Sequence, residues 1–156
     1  MIRRIFCMVC ALLAALSVRA AAQIDYEADL VRLHVVAEDD TPEAQEVKLA
    51  VRDACLACAG EYLAGCASSD EAYAALEEHL DDFRAAAVRA AEDMGWSGQI
   101  IAETGVFAFP DRLYGSLRVP AGDYRALRVT LVAGEGHNWW CVLYPSLCGL
   151  DEAEYA

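Results

Sequence analysis

The sequence predicts an α+β domain, with two amphipathic helices packed on one face of a three- to four-stranded, largely antiparallel sheet. Three observations carry this. Apolar residues alternate with polar ones over Leu30–Ala37 and again over Tyr124–Ala133, the period of a strand. Between those segments, Tyr73, Leu76, Leu80, Phe83, Ala87, Ala90 and Met94 recur at steps of three and four, the period of a helix face. The order is one strand, two helices and then a run of strands, which suits helices laid on one side of a sheet.

The elements follow in order. In Leu30–Ala37, Val31, Leu33 and Val35 share one face and Arg32 and His34 the other, so a half-buried strand is expected. The acidic turn Glu38-Asp39-Asp40 ends it. Thr41 can cap a helix and Pro42 suits the first helical position, with Glu43 adding favourable charge in the first turn. That helix places Val47, Val51, Ala54, Cys55, Cys58 and Tyr62 on one stripe and is expected to stop at Gly60 or Gly65. Ser68 and Glu71 form a capping-box pattern that opens the second helix, which Gly95 stops. A strand over Gln99–Phe109 is expected to break at Gly105. Val119-Pro120-Ala121-Gly122 has the proline and glycine placement of a turn. The strand over Tyr124–Ala133 puts Leu127, Val129 and Leu131 on one face. The loop Gly134-Glu135-Gly136 then leads into a last strand, Asn138–Tyr144.

The chain has 156 residues, 57% of them hydrophobic, a net charge of −13 and a pI near 4.4. That length suits one domain. Such acidity repels phosphate backbones, so no nucleic acid partner is expected. The charge is unevenly placed. Arg3 and Arg4 begin the chain, Ile5–Leu16 is apolar, small residues stand at Ala20 and Ala22, and no acid appears before Asp25. A basic start, a short apolar run and a small-x-small site are the parts of a secretory signal. We therefore divide the chain into a signal segment, 1–22, cleaved near Ala22, and a single domain, 23–156. The alternatives are retention of the segment as an anchor or a buried N-terminal helix. The apolar run is shorter than the roughly 20 residues that span a bilayer.

The candidate chemistry lies in cysteines, a histidine and a tryptophan pair. Cys55-Leu56-Ala57-Cys58 is a C-x-x-C, but it falls several turns inside a helix on its buried stripe. A redox pair instead uses a helix start, where the dipole lowers the thiol pKa. Core packing is one reading and a labile metal or redox role the other; no cofactor and no metal is expected. Cys141 and Cys148 could join if the chain reverses near Pro145, since their Cα atoms must come within about 7 Å; the alternative is two reduced thiols under the sheet. His137 stands near Cys141, yet neighbouring strand residues face opposite ways and no orienting third group is evident. A solvated loop histidine competes with a thiol enzyme built on Cys141 and His137, and no catalytic residue is assigned. Trp139 and Trp140 must also point to opposite faces. Both are buried only if both faces of the sheet are covered; otherwise one ring is exposed as an anchor for a protein or a membrane interface.

The run Gly134-Glu135-Gly136-His137-Asn138-Trp139-Trp140-Cys141-Val142-Leu143-Tyr144-Pro145-Ser146-Leu147-Cys148 resembles the close of the stage II sporulation protein R family, which has G-x-G-x-N-W-W-C-V followed by aromatic-Pro-Pro-Leu-Cys. Arg32–Ala37, Thr41-Pro42-Glu43, Lys48–Ala54, Phe109-Pro110, Tyr114-Gly115 and Pro120–Val129 also resemble it. The family's Asn-Ser-Asp turn is here Glu38-Asp39-Asp40, its Pro-Pro is Pro145-Ser146, and Cys55, Cys58 and Cys66 fall outside its pattern. The resemblance implies a non-enzymatic signalling protein of an endospore-forming bacterium. It would be exported from the forespore into the space between the forespore and mother-cell membranes. There, at the outer face of a membrane, it would trigger a membrane-embedded aspartic protease that processes the sigma-E precursor. The expected contact residues are Gly134, Gly136, His137, Asn138, Trp139 and Trp140.

Overall fold

The structure, a computed structural model, describes residues 25–148. The signal segment expected over 1–22 lies outside them. A short helix, α1 (Tyr26–Asp29), precedes strand β1 (Val31–Val36). Three helices follow: α2 (Pro42–Tyr62), α3 (Ser69–Glu78) and α4 (Leu80–Asp93). The rest is strand: β2 (Ile100–Phe109), β3 (Arg112–Tyr114), β4 (Leu117–Val119), β5 (Gly122–Leu131) and β6 (Asn138–Tyr144). The main sheet has the order β2-β5-β1-β6, and β3 and β4 form a separate hairpin. β1 runs parallel to β5 and antiparallel to β6, while β2 and β5 are antiparallel. This is an α+β fold with a mostly antiparallel sheet. The one parallel pair follows because the helices carry the chain across between β1 and the later strands.

The helix starts obey local chemistry. The Thr41 hydroxyl accepts the Ala44 N–H at 3.3 Å, and the Ser68 hydroxyl accepts that of Glu71 at 3.2 Å. Glu71 completes the box one residue early, accepting the Ala67 N–H at 2.8 Å. α2 ends at Tyr62, with Leu63 as its cap, so neither Gly60 nor Gly65 is the stop. Gly95 closes α4 with a φ of +80°, which glycine adopts without strain.

Four expectations are corrected. The helix over Ser68–Met94 is two helices that meet at His79, whose backbone leaves helical geometry while its ring stacks on Tyr62 at 3.9 Å. β2 runs unbroken through Gly105, which pairs with Ala126. The Phe107 ring lies over Gly105, 3.0 Å from where a Cβ would stand. The β3–β4 hairpin was not expected. Finally, Arg32 and His34 are buried: β1 lies between β5 and β6, Arg32 sits beneath Tyr114, Phe109 and Tyr124, and the Trp140 and Phe109 rings close over His34.

Two cores result. The helix-side core joins Val31, Leu33, Val35, Leu127, Val129 and Leu131 of the sheet to Val51, Cys55, Leu76, Phe83 and Ala87 of the helices. On the other face, Leu30, Phe109, Tyr114, Val119, Tyr124, Ala126 and Val142 form a second cluster beneath the hairpin.

Candidate functional site

The loop between β5 and β6 is stitched to the turn after β1. The Glu135 N–H donates to the Glu38 carbonyl at 3.0 Å, and the Gly136 N–H to that of Ala37 at 3.1 Å. A Cβ on Gly136 would fall 2.1 Å from the Asp39 carbonyl oxygen, so this approach needs glycine. Gly134 has a φ of +76°. His137 donates its backbone N–H to the Asp40 carboxylate at 2.6 Å, and its Nδ1 lies 2.5 Å from the same oxygen. These bonds hold the Asp40 carboxyl below the usual carboxylate range. Lys48 reaches up from α2 to the His137 carbonyl at 3.3 Å. Burial lowers its pKa, against the pull of Asp40. Trp96 donates to Glu38 at 2.8 Å. The loop is therefore a fixed surface.

The tryptophans face opposite ways, one onto the helices and one onto the partly covered second face. Trp139 is on the helix side, 7% exposed, with the Arg52 guanidinium 4.3 Å from its ring centroid. It helps floor a groove of about 580 Å³ between α2 and the end of β6, lined also by Leu56, Leu63 and Leu143. Trp140 is half-buried on the other face, stacked on His34 at 3.8 Å and edge-on to Phe109 at 4.9 Å. His34 in turn bonds the Asn138 side chain, Nε2 to Oδ1, at 2.7 Å. The expected contact residues thus divide into a pinned loop, one buried ring and one half-buried ring.

The structure pairs Cys141 with Cys148, their Cα atoms 5.5 Å apart. The chain reverses after Tyr144, and the Leu147 N–H donates back to the Val142 carbonyl at 3.2 Å. Cys141 faces the helix-side core, whereas the His137 side chain is 80% exposed and engaged with Asp40. The two are not brought together as nucleophile and base. Cys55, wholly buried, has its thiol pushed up to about 12 by burial, the opposite of an activated thiolate. Cys58 is also raised, first by burial and then by Glu61. Among the described residues no group of three or more His, Cys, Asp or Glu side chains could hold a metal ion.

Sequence reasoning missed Arg32. It is wholly buried, donating from Nε to the Cys141 carbonyl at 3.3 Å and from Nη2 to the Tyr114 hydroxyl at 2.5 Å. Its guanidinium lies 4.2 Å from the Phe109 centroid and 4.9 Å from that of Tyr124. Tyr114 passes the link on, donating to the Trp140 carbonyl at 3.3 Å. Arginine inside an otherwise apolar alternation is the one signal that could have marked it. Its partners, some 80 to 110 residues away, leave no local trace.

The sequence model of the family described as stage II sporulation protein R matches residues 27–154. The chain belongs to that family. The stage II sporulation protein R of Bacillus subtilis (strain 168) is 36% identical over 121 residues, covering 78% of this chain and 54% of the relative. The chain thus spans about half the length of the curated relative it matches. No solved structure matches. Membership in the stage II sporulation protein R family gives the chain a role in sporulation. The run with the most specific resemblance, Gly134–Cys148, folds as the β5–β6 loop and β6 with the turn after it, and two further resembling segments, Arg32–Ala37 and Pro120–Val129, fall on the neighbouring strands β1 and β5. No helix among the described residues is long and apolar enough to cross a membrane.

Proposed function

We propose that this chain is an exported signal of endospore formation. It acts by docking to a membrane-embedded aspartic protease and switching on its processing of the sigma-E precursor. The carrying observation is the family match over residues 27–154. The segment 1–22 directs export, and the domain works in the space between the forespore and mother-cell membranes. The end of the sheet supports docking: loop Gly134–His137 is fixed by Asp40 and Lys48, and Asn138 and Trp140 are held against His34. Rigid presentation lowers the entropic cost of association.

The test is co-expression of the protease and the sigma-E precursor, with and without this chain, in a host that lacks all three. Cleavage is expected only when the chain is present and exported. A folded, exported chain that leaves the precursor intact overturns the proposal.

A further inference from the structure

The hairpin and α1 cover only part of the sheet's second face. Register places two rows of side chains beyond them. Glu103, Arg128, His34 and Trp140 form one row across all four strands, and Ile101, Thr130, Val36 and Asn138 form the next. Between them lies an open pocket of about 440 Å³, lined by members of both rows and closed at one end by Gly134. Ile101, 42% exposed, is an apolar flank.

The floor is built. His34 is only 8% exposed, clamped by Trp140, and its Nδ1 is buried with no hydrogen-bond partner. A buried N–H without an acceptor is costlier than a buried lone pair beside none, so the proton belongs on Nε2. Nε2–H then donates to Asn138 Oδ1, which fixes the exposed Asn138 amide with its NH₂ turned away from His34. Arg128 spends Nε and Nη2 on a single Glu103 oxygen, at 3.0 and 2.8 Å, keeping Nη1 for another acceptor. Thr130 adds a hydroxyl. Arg128, which also lies over the Phe107 ring at 4.2 Å, Asn138 and Thr130 thus line this pocket with unspent donors, against two acceptors, the Glu103 carboxylate and the Nδ1 lone pair of His34. The Glu103–Arg128 pair is part-exposed and contributes little by itself, so a new carboxylate can join or displace Glu103 at small cost.

We infer that this half of the sheet face is the docking pocket for a carboxylate side chain, Asp or Glu, of the protein partner, held by Arg128, Asn138 and Thr130 over His34. The inference rests on the docking function proposed above and supplies the partner's chemistry. Arginine presenting a free fork edge beside an amide is the donor set that carboxylates fit best.

The experiment is precursor cleavage in the co-expression system, read beside a melting curve and the secreted amount of each variant. Arg128→Gln, Arg128→Glu and Asn138→Asp should each cut cleavage at least tenfold while the fold survives; Asn138→Asp turns a donor into a repelling acceptor. Glu103→Gln should keep or raise cleavage. Thr130→Val, which removes one hydroxyl at constant shape, gives a milder loss and serves where an Arg128 variant does not fold. A gain in Asn138→Asp together with a loss in Glu103→Gln overturns the inference in favour of a basic partner group. Full activity in every folded variant overturns it by showing that the face is unused. If the unaltered chain elicits no cleavage, the signalling function itself falls, and the pocket's assignment falls with it.

Discussion

The Arg32 guanidinium and the Tyr114 hydroxyl, 2.5 Å apart, join the central strand to the hairpin that covers it. Arg32 is wholly buried, with no carboxylate bonded to it among the described residues. Its charge is met by the Cys141 carbonyl, the Tyr114 hydroxyl and aromatic faces, and burial lowers its pKa from the ordinary value. Tyr114→Phe strands one guanidinium N–H and frees the Trp140 carbonyl. It should cost about 1–3 kcal/mol. Arg32→Ala also empties the space beneath Phe109 and should cost more, whereas Arg32→Met keeps the volume without a charge and should cost less than Arg32→Ala. Urea denaturation orders the three; a Tyr114→Phe protein as stable as the parent would show that the hydroxyl contributes nothing.

Acid should weaken the fold through His34 before it does so through the carboxylates. Burial is the first cause of its lowered pKa, and neighbouring Arg128 adds to it. The unfolded chain therefore takes the proton first as pH falls. The stability contributed by a neutral His34 is fully present above its unfolded pKa of about 6.5 and is lost as pH drops through the lower folded value. Arg128 and the neutral Asn138 face it from the adjoining strands, Arg32 stands two residues away on its own strand, and Glu103 is tied to Arg128. Asp39 and Asp40, also lowered, act in a separate window, below about pH 4. Unfolding free energy measured from pH 7.5 to 5 should slope downward for the parent and flatten in His34→Gln. An identical slope in both proteins would assign the effect to another group.

The disulfide predicts non-additivity. Its two cysteines are seven residues apart, and closing so short a loop contributes about 2.5 kcal/mol in the chain-entropy model. Cys141→Ser and Cys148→Ser should each lose a similar amount, and the double variant little more than either, because all three remove one bond. Fully additive losses would mean two independent buried thiols.

The strands and caps were legible because their signals are local. Thr41 and Ser68 cap as their side chains dictate, and β6 occupies Asn138–Tyr144 as its alternation and the preceding glycines require. Alternation in β1 located the strand but misassigned Arg32 and His34 to solvent, since a period of two says which residues share a face and not what lies over that face. The cover over Arg32 is a hairpin of two three-residue strands, too short to show any period, and that over His34 is the Trp140 ring from another strand. The break at His79 carries neither proline nor glycine; stacking on Tyr62, seventeen positions earlier, marks it only in three dimensions. The site behaved likewise. Gly134 and Gly136 advertised a tight loop, but Asp40, which holds His137, is 97 residues away. The pairing of His34 with Asn138 spans 104.

The two tryptophans should separate stability from signalling. Trp139 is buried among Leu33, Leu143 and the other helix-side residues and lies under Arg52. Trp139→Ala removes a large core side chain, and losses of about 3–5 kcal/mol are usual for that change. It should mainly unfold the domain. Trp140 is half-buried and covers His34. Trp140→Ala should leave a folded protein by circular dichroism, with a modestly lower melting temperature, yet release the ring that holds His34 and Asn138 in place. Precursor cleavage should then fall sharply, as expected when a few aromatic residues dominate a docking surface. His137→Ala forfeits only an exposed contact to Asp40 and should signal appreciably. Cys141→Ala should do the same wherever the fold survives, since no bond chemistry is asked of it. All four variants need a melting curve beside the cleavage assay. Two folded and active tryptophan variants, set against a folded but silent His137→Ala, would defeat the docking account and move the chemistry to His137.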